Sequence, residues 1–306
     1  MSGLRRHLED YLRLRRSLGF KLKFPGCVLP GLIGYLEAAG AATITAELAV
    51  AWAGLPRGVQ PIMWAHRLGA ARGFARYLKT IDPATEIPPA GIWPSVSPRP
   101  RPYIWAEADI GRLLAAARTL RPPLRAATYE ALFGLIAATG MRLGEAIALE
   151  RADADLDGGV LTIRDGKFGL SRLVPVHPSV TGQLRTYAAR RDRLCPSPAT
   201  ARFFVSTAGT PLRTSLTDRA FAQLTTALGL RTAACRPRVH DLRHSFAVRQ
   251  LIDWHRSGDD PRGRMPVLSA YLGHVSPAGT YWYLTAVPEL MELAAARLDR
   301  HAGGPR

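Results

Sequence analysis

Apolar residues recur at helical spacing through the first part of the chain. Residues 4–18 carry an apolar face at close to 3.6-residue spacing, opposite a face rich in arginine. The apolar face consists of Leu4, Leu8, Tyr11, Leu12 and Leu18. Similar spacing predicts further helices near residues 27–39, 45–53 and 60–79. We therefore expect residues 1–86 to form a helical domain.

A proline-rich segment then interrupts the pattern. Proline lacks a backbone donor and disfavours helical conformation in the residue before it. We therefore expect residues 87–102 to be an extended linker. The prolines are Pro88, Pro89, Pro94, Pro98, Pro100 and Pro102.

Helical spacing returns after the linker, now mixed with a short alternating pattern. Residues 160–176 alternate apolar and polar on both sides of a glycine-bearing turn, which predicts a β-hairpin. Residues 203–206 resemble one more short strand. Residues 103–306 are therefore predicted to form a second domain, and the fold class is mainly α with a small antiparallel β-sheet (α+β). The predicted helices are 105–120, 124–140, 142–149, 178–193, 214–228, 240–254, 266–272 and 288–299.

The charge of the chain points to a polyanionic partner. The 306 residues have a mean hydropathy of −0.02, which is ordinary, but a net charge of +17. Both parts are basic, since residues 1–100 hold 13 Lys and Arg against 6 Asp and Glu. Nucleic acid is the usual partner of such a surplus, although a general preference for arginine would also produce it. Candidate DNA-binding residues are Arg13, Arg16, Lys21, Lys23, Arg72, Arg76, Arg99 and Arg101.

Other classes of protein are disfavoured. The odd number of cysteines argues against a disulfide scaffold, and no apolar run approaches the roughly 20 residues of a membrane span. The amino terminus has no apolar signal region, so we expect a cytoplasmic location, and the bacterial nucleoid if the partner is DNA. Motifs for metal ligation or nucleotide phosphates are absent from the sequence, which predicts no metal site and no cofactor.

Three charged residues in two short strings suit phosphate chemistry. Arg142 lies in TGMRLGEA, and His240 and Arg243 lie in HDLRHSFA. Arginine matches two phosphate oxygens and keeps its proton, while an imidazole moves protons near neutral pH. Glu145 lies one helical turn after Arg142 and is a candidate to orient it. Each residue alone is weak, because arginine is abundant and HxxR occurs by chance; His244 is more often structural.

A lysine, a third histidine and several tyrosines complete the set. Lys167 is the only lysine after residue 79, and it lies in the predicted hairpin turn. Unlike arginine, lysine can give up a proton to a leaving oxygen, although a solvated turn is also a natural place for it. His274 ends AYLGH, and GTYWYLT follows. A phenol can attack phosphorus once nearby positive charge activates it, but periodicity does not choose among Tyr271, Tyr281 and Tyr283.

Taken together, these strings resemble the tyrosine recombinase (phage integrase) family over roughly residues 103–300, and GTYWYLTAVPEL resembles members carried by mobile elements. The family's nine-residue offset from the LGH histidine selects Tyr283 as nucleophile. The resemblance implies that Arg142, Arg243 and His274 hold a DNA phosphate, that Lys167 protonates the leaving oxygen, and that His240 assists proton transfer. It also implies that residues 1–86 are the core-binding domain.

The resemblance carries further expectations about partners and reaction. It implies double-stranded DNA with specific recombination sites, a 3′-phosphotyrosine intermediate, no need for metal or ATP, and a synaptic tetramer. Other recombinases of the same element are further candidate partners. Thr285 stands where many relatives have histidine, and a separate arm-binding domain is not expected. Residues 253–266 have no assigned role. Type IB topoisomerase activity, or an inert DNA-binding protein, are the alternatives.

Overall fold

The structure is a computed structural model that describes residues 3–94, 102–164, 171–257, 259 and 261–273. Contacts divide the chain into two compact units, Met1–Pro100 and Arg101–Arg306. Lys167, His274 and Tyr283, together with Arg99 and Arg101, lie outside the described residues. So do the predicted helix at 288–299 and the predicted hairpin turn.

Four helices build the described part of the first unit. Their apolar faces meet in a core that includes the fully buried Leu32, Ile33 and Phe74. Thr45 caps the third helix, because its hydroxyl accepts a hydrogen bond from the Leu48 backbone N–H at 3.3 Å. The helices are α1 (Gly3–Ser17), α2 (Lys23–Ala38), α3 (Ala46–Gly54) and α4 (Pro61–Leu78).

The start of the proline-rich segment contacts α4. Arg72 donates hydrogen bonds to the carbonyls of Pro88 and Pro89 at 3.0 and 2.6 Å. The Trp93 ring lies 5.8 Å from the Trp64 ring, measured between centroids. Residues 88–93 are therefore fixed to the first unit by polar and aromatic contacts.

One helix organises the second unit. α6 is apolar around most of its circumference, and it packs against α5, α8 and α10, which explains why it lacks a polar face. Its residues Leu132, Phe133 and Ile136 are buried in the main core of the unit. The helices are α5 (Glu107–Arg118), α6 (Pro123–Thr139), α7 (Leu143–Ala148), α8 (Pro178–Leu194), α9 (Thr214–Ala227), α10 (Val239–Arg256) and α11 (Pro261–Leu272).

A three-stranded antiparallel sheet in the order β1-β2-β3 lies beside these helices. Its strands are β1 (Ala154–Asp155), β2 (Val160–Ile163) and β3 (Arg172–Pro175). The register of β2 and β3 pairs Leu161 with Val174, and both side chains are buried. The alternation of the strands therefore directs one face into the core.

The predicted fold class, mainly α with a small antiparallel sheet, is confirmed. The predicted helices within the described ranges are also confirmed, with ends that differ from the prediction by a few residues. The largest difference at a helix start is in α11, which begins at Pro261 instead of 266. The strand predicted at 203–206 is wrong, because Val205 forms only an isolated bridge with Pro211 while Phe203 and Phe204 pack into the core. None of the helices in the described ranges combines the length and apolar character that a membrane crossing requires.

Candidate active site

Arg142 follows a turn that Gly140 forms at the end of α6. Gly140 ends α6 with φ of 64°, in the left-handed region. A Cβ at this position would lie 2.5 Å from Phe246 and 2.9 Å from Leu272, so only glycine fits. Arg142 immediately precedes α7 as its N-cap residue, with 22% of its side chain exposed.

Glu145 holds Arg142 at two points. Its Oε1 accepts from Arg142 Nη1 at 2.7 Å, and its Oε2 accepts from the Arg142 backbone N–H at 3.1 Å. The Glu145 side chain is only 6% exposed, so this contact is largely shielded from water. The structure thus places the Glu145 carboxylate in direct contact with Arg142.

A second arginine binds the same carboxylate. Arg172, at the start of β3, donates to Glu145 Oε1 at 3.2 Å and to Oε2 at 2.8 Å. Burial by itself raises the pKa of Glu145. The hydrogen bonds and positive charges of Arg172 and Arg142 outweigh burial and lower that pKa to about 2. Glu145 is therefore ionised at neutral pH, and the three side chains form a cluster with a net charge of +1.

Arg243 is buried between two backbone segments. The residue is 1% exposed, and it donates to the carbonyls of Gly140 at 2.7 Å and Leu272 at 2.8 Å. Its position on α10 thus joins the turn before Arg142 to the end of α11. Helix spacing had indicated only that it shares a face with His240.

Three arginines meet the carboxyl-terminal end of α11. Arg172 Nε donates to the Tyr271 carbonyl at 2.8 Å, Arg243 to Leu272, and Arg142 Nη2 to the Gly273 carbonyl at 2.7 Å. Cations are favoured here because the last carbonyls of a helix carry partial negative charge. All three arginines therefore hold the segment that ends at Gly273, the residue before His274 in the sequence.

His240 lies near the same charges, on the first turn of α10. Desolvation is the main cause that lowers its pKa to about 4, and the positive charges of Arg243, Arg238 and Arg142 add to it. At this pKa the ring is neutral at physiological pH. The residue as a whole nevertheless remains exposed at the surface. His244 is buried, with its ring centroid 4.7 Å from that of His240.

Tyr271 has the features of a packing residue. Its ring stacks on Phe246 with centroids 5.8 Å apart, and its hydroxyl donates to the Pro175 carbonyl at 3.1 Å. Desolvation raises the pKa of Tyr271 to about 12, with partial compensation from Arg172. This environment disfavours the phenolate that a nucleophile needs, so it argues against Tyr271 among the three candidate tyrosines.

The candidate DNA-binding residues of the first unit fall into two groups. Arg16, Lys21, Lys23 and Arg76 are exposed, as is Arg13, which pairs with Asp10 on its own helix at 3.4 Å. Arg72 is only partly exposed, because it binds the backbone of the proline-rich segment. The exposed group can reach a partner from the surface.

Sequence reasoning missed Arg172. The position of Arg172 in β3 could have indicated its role. Arg172 and Val174 are two residues apart and point to the same side of the strand, and Val174 is buried. An arginine on the inward face of a strand requires an acidic or carbonyl partner. That partner, Glu145, comes from a distant part of the chain, and the strand pattern could not identify it.

The chain resembles known proteins in sequence and in fold. A family model described as "Phage integrase family" matches residues 105–289. A protein of Sinorhizobium fredii (strain NBRC 101917 / NGR234), provisionally named integrase/recombinase y4rB, is 46% identical over 98% of this chain and 98% of its own length. Tyrosine recombinase XerC of Methylobacterium nodulans is 34% identical over 71% of this chain and 64% of its own.

Solved structures share the fold at low identity. The Tn1549 transposon integrase in complex with transposon right end DNA has a TM-score of 0.63 and 16% identity, covering 97% of this chain and 99% of its own. A lambda integrase tetramer bound to a Holliday junction has a TM-score of 0.61 and 17% identity, covering 92% and 76%. With a family model over more than half of its length and a 46% identical relative, the chain belongs to the phage integrase family of tyrosine recombinases.

Proposed function

We propose that this recombinase breaks and rejoins double-stranded DNA at specific sites through a 3′-phosphotyrosine bond at Tyr283. The Tyr283 oxygen attacks phosphorus, the bond from phosphorus to the 5′ oxygen breaks, and Lys167 gives that oxygen a proton. A 5′ hydroxyl from another strand reverses these steps and displaces the tyrosine. Because the phosphodiester energy stays in the covalent bond, the reaction needs no ATP. In the proposal the arginines and Lys167, in place of a metal, stabilise the charge on the phosphate and the leaving oxygen.

The convergence around the end of α11 carries this proposal. Arg142 and Arg243, about 100 residues apart in sequence, both donate to the backbone immediately before His274. A phosphate passing through a pentacoordinate state gains negative charge, and fixed cationic donors stabilise it. Arg142 suits direct contact with that phosphate, since 22% of its side chain is exposed beside a net positive cluster.

Arg243 and His240 have different parts in the proposal. Arg243 supports the backbone at Gly140 and Leu272, and because it is 1% exposed, phosphate contact requires these bonds to rearrange on DNA binding. His240 is neutral at physiological pH, since its pKa is lowered to about 4. A neutral imidazole can accept a proton from the attacking phenol.

We further propose that the protein acts as a synaptic tetramer of a mobile element. The DNA-bound Tn1549 transposon integrase and the lambda integrase tetramer on a Holliday junction support this by likeness of fold. The net charge of +17 supports a DNA partner. In the proposal residues 1–86 grip the duplex, with Arg16, Lys21 and Lys23 among its contacts.

Covalent trapping tests the chemistry. Duplexes taken from DNA flanking the gene, nicked near the cleavage site and labelled on the strand that stays attached, are incubated with protein and separated on denaturing gels. We expect a protein–DNA adduct from the wild type and from Tyr281→Phe, the matched control. Tyr283→Phe should form none, because it lacks the hydroxyl, while binding DNA with nearly unchanged affinity.

Two results contradict the proposal. An adduct that persists in Tyr283→Phe, or disappears in Tyr281→Phe, rejects Tyr283 as nucleophile. Rapid relaxation of a supercoiled plasmid that carries no recombination site rejects site-specific recombination in favour of topoisomerase activity.

A further inference from the structure

Arg172 makes contacts that the proposed chemistry does not yet use. We propose that Arg172 is a positioning residue for strand cleavage: it fixes the Glu145 carboxylate, and that carboxylate aims the Arg142 guanidinium at the scissile phosphate. The proposal rests on the proposed function, because it concerns the rate of the same cleavage step.

The contact between Arg172 and Glu145 fixes a direction as well as a distance. Arg172 Nη2 lies 2.8 Å from Oε2 and Nη1 lies 3.2 Å from Oε1, so two roughly parallel hydrogen bonds join the groups. A carboxylate held by one bond can rotate, whereas a two-point contact with a planar guanidinium sets its plane. The same two oxygens also accept hydrogen bonds from the Arg142 side chain and backbone. Fixing the plane of the carboxylate therefore also fixes the orientation of Arg142.

Burial makes this orientation costly to replace. The side chains of Arg172 and Glu145 are 14% and 6% exposed, and water has little access to either. Removing Arg172 would leave Arg142 as the sole guanidinium on an ionised carboxylate. The cluster would lose its net positive charge, and Glu145 would compete more strongly with a phosphate for Arg142.

A further contact links Arg172 to the turn before His274. Arg172 Nε donates to the Tyr271 carbonyl at 2.8 Å, while Arg142 binds the Gly273 carbonyl two residues on. Gly273 has φ of 67°, and a Cβ there would lie 2.7 Å from Arg172 Nη1. The absence of a side chain at Gly273 therefore makes room for the guanidinium, and one residue connects β3, α7 and α11.

A purely structural role is the competing explanation, and Arg191 provides a matched control. Arg191 on α8 is a buried arginine, 5% exposed, and donates to the carbonyls of Phe203 at 3.0 Å and Arg202 at 3.3 Å. Arg191→Ala should lower the melting temperature, yet folded protein should still cleave within about threefold of the wild-type rate, because its contacts do not reach Glu145.

The test measures single-turnover cleavage of the nicked duplex by full-length protein at saturating concentration, with DNA affinity and melting temperature measured in parallel. For Arg172→Ala we expect cleavage to fall at least tenfold, on the order of what misplacing one catalytic group costs. DNA affinity should stay within about threefold, and the loss in melting temperature should not exceed that of Arg191→Ala. Arg172→Lys should remain slow, because an ammonium keeps the charge but not the two-point contact.

A modified substrate identifies the group through which Arg172 acts. A 5′-bridging sulfur leaves without a proton, so it rescues a defect in the acid but not a defect in phosphate stabilisation. We expect this substrate to rescue Lys167→Ala and not Arg172→Ala. Arg172→Ala should add little to the defect of Glu145→Gln, since both interrupt the same connection.

Several outcomes overturn the proposal. Three results would each contradict it: cleavage by Arg172→Ala at the wild-type rate, full restoration of cleavage in Arg172→Lys, or rescue of Arg172→Ala by the bridging sulfur. A cleavage defect equal to that of Arg191→Ala also rejects it. Failure of the proposed function is distinct, because the wild type itself would then form no adduct through Tyr283.

Discussion

The two units of this recombinase use positive charge in opposite ways. In the first unit the core is apolar, and Arg16, Lys21 and Lys23 are exposed on its surface. In the second unit arginine enters the interior: Arg243 is 1% exposed, and the side chain of Arg172 is 14% exposed. The first unit presents these three cations to solvent, and the second holds its two arginines against carbonyls and Glu145.

The difference separates affinity from geometry. An exposed lysine or arginine meets a phosphate through a screened interaction that releases counterions and depends on salt. A guanidinium held by buried acceptors cannot move freely. It therefore provides a fixed positive charge at the place where negative charge develops in the transition state. We therefore expect variants of the first unit to change binding and variants of the second to change the rate of cleavage.

The largest expected effect is at Arg142. Arg142→Ala should slow single-turnover cleavage by about 10²–10³-fold, the usual range for loss of one fixed donor to a transition state. DNA affinity should change only a few-fold. Arg76→Ala, an exposed arginine on α4, is the control and should cleave bound DNA at the wild-type rate. Equal losses of affinity and rate in Arg142→Ala would break the proposed separation.

A smaller effect concerns stability at low pH. Glu145 has a folded pKa of about 2 against an ordinary value of 4.5, so its contribution is complete above pH 4.5 and lost as pH falls towards 2. Glu145→Gln should lower the free energy of unfolding by up to about 3 kcal/mol at pH 6. Urea titrations at several pH values should show the difference from wild type shrinking below pH 4.5.

The control for this measurement is a more solvated ion pair. Glu130 pairs with Arg118, whose side chain is 61% exposed, and such pairs contribute at most about 1 kcal/mol. Glu130→Gln should therefore have a small effect. A difference between Glu145→Gln and wild type that stays constant from pH 6 to pH 3 would show that the carboxylate's charge does not stabilise the site.

The smallest expected effect lies in the first unit. The double variant Arg16→Ala/Lys23→Ala should weaken DNA binding and reduce the slope of log affinity against log salt by about 2, one per lost phosphate contact. Fluorescence anisotropy over a range of salt concentrations measures the slope. Cleavage of fully bound DNA should not change. An unchanged slope would remove these two residues from the DNA interface.

Local patterns were sufficient for most of the fold. The 3.6-residue spacing predicted the helices of both units, and the alternation at 160–176 predicted the antiparallel pairing of β2 and β3. The prediction of a strand at 203–206 was wrong because its aromatic residues are as compatible with a loop that fills the core as with a strand. Burial in three dimensions decided that case, and it cannot be read from a four-residue window.

The sequence by itself determined the residue types available for phosphate chemistry, and motif spacing paired Arg142 with Glu145 and His240 with Arg243. The tertiary structure alone decided how they are held. It brought Arg172 to Glu145 across 27 positions, buried Arg243 between Gly140 and Leu272, and lowered the pKa of His240 to about 4. Hydrogen bonding and desolvation depend on which distant groups share a small volume, and only the packed chain sets that volume.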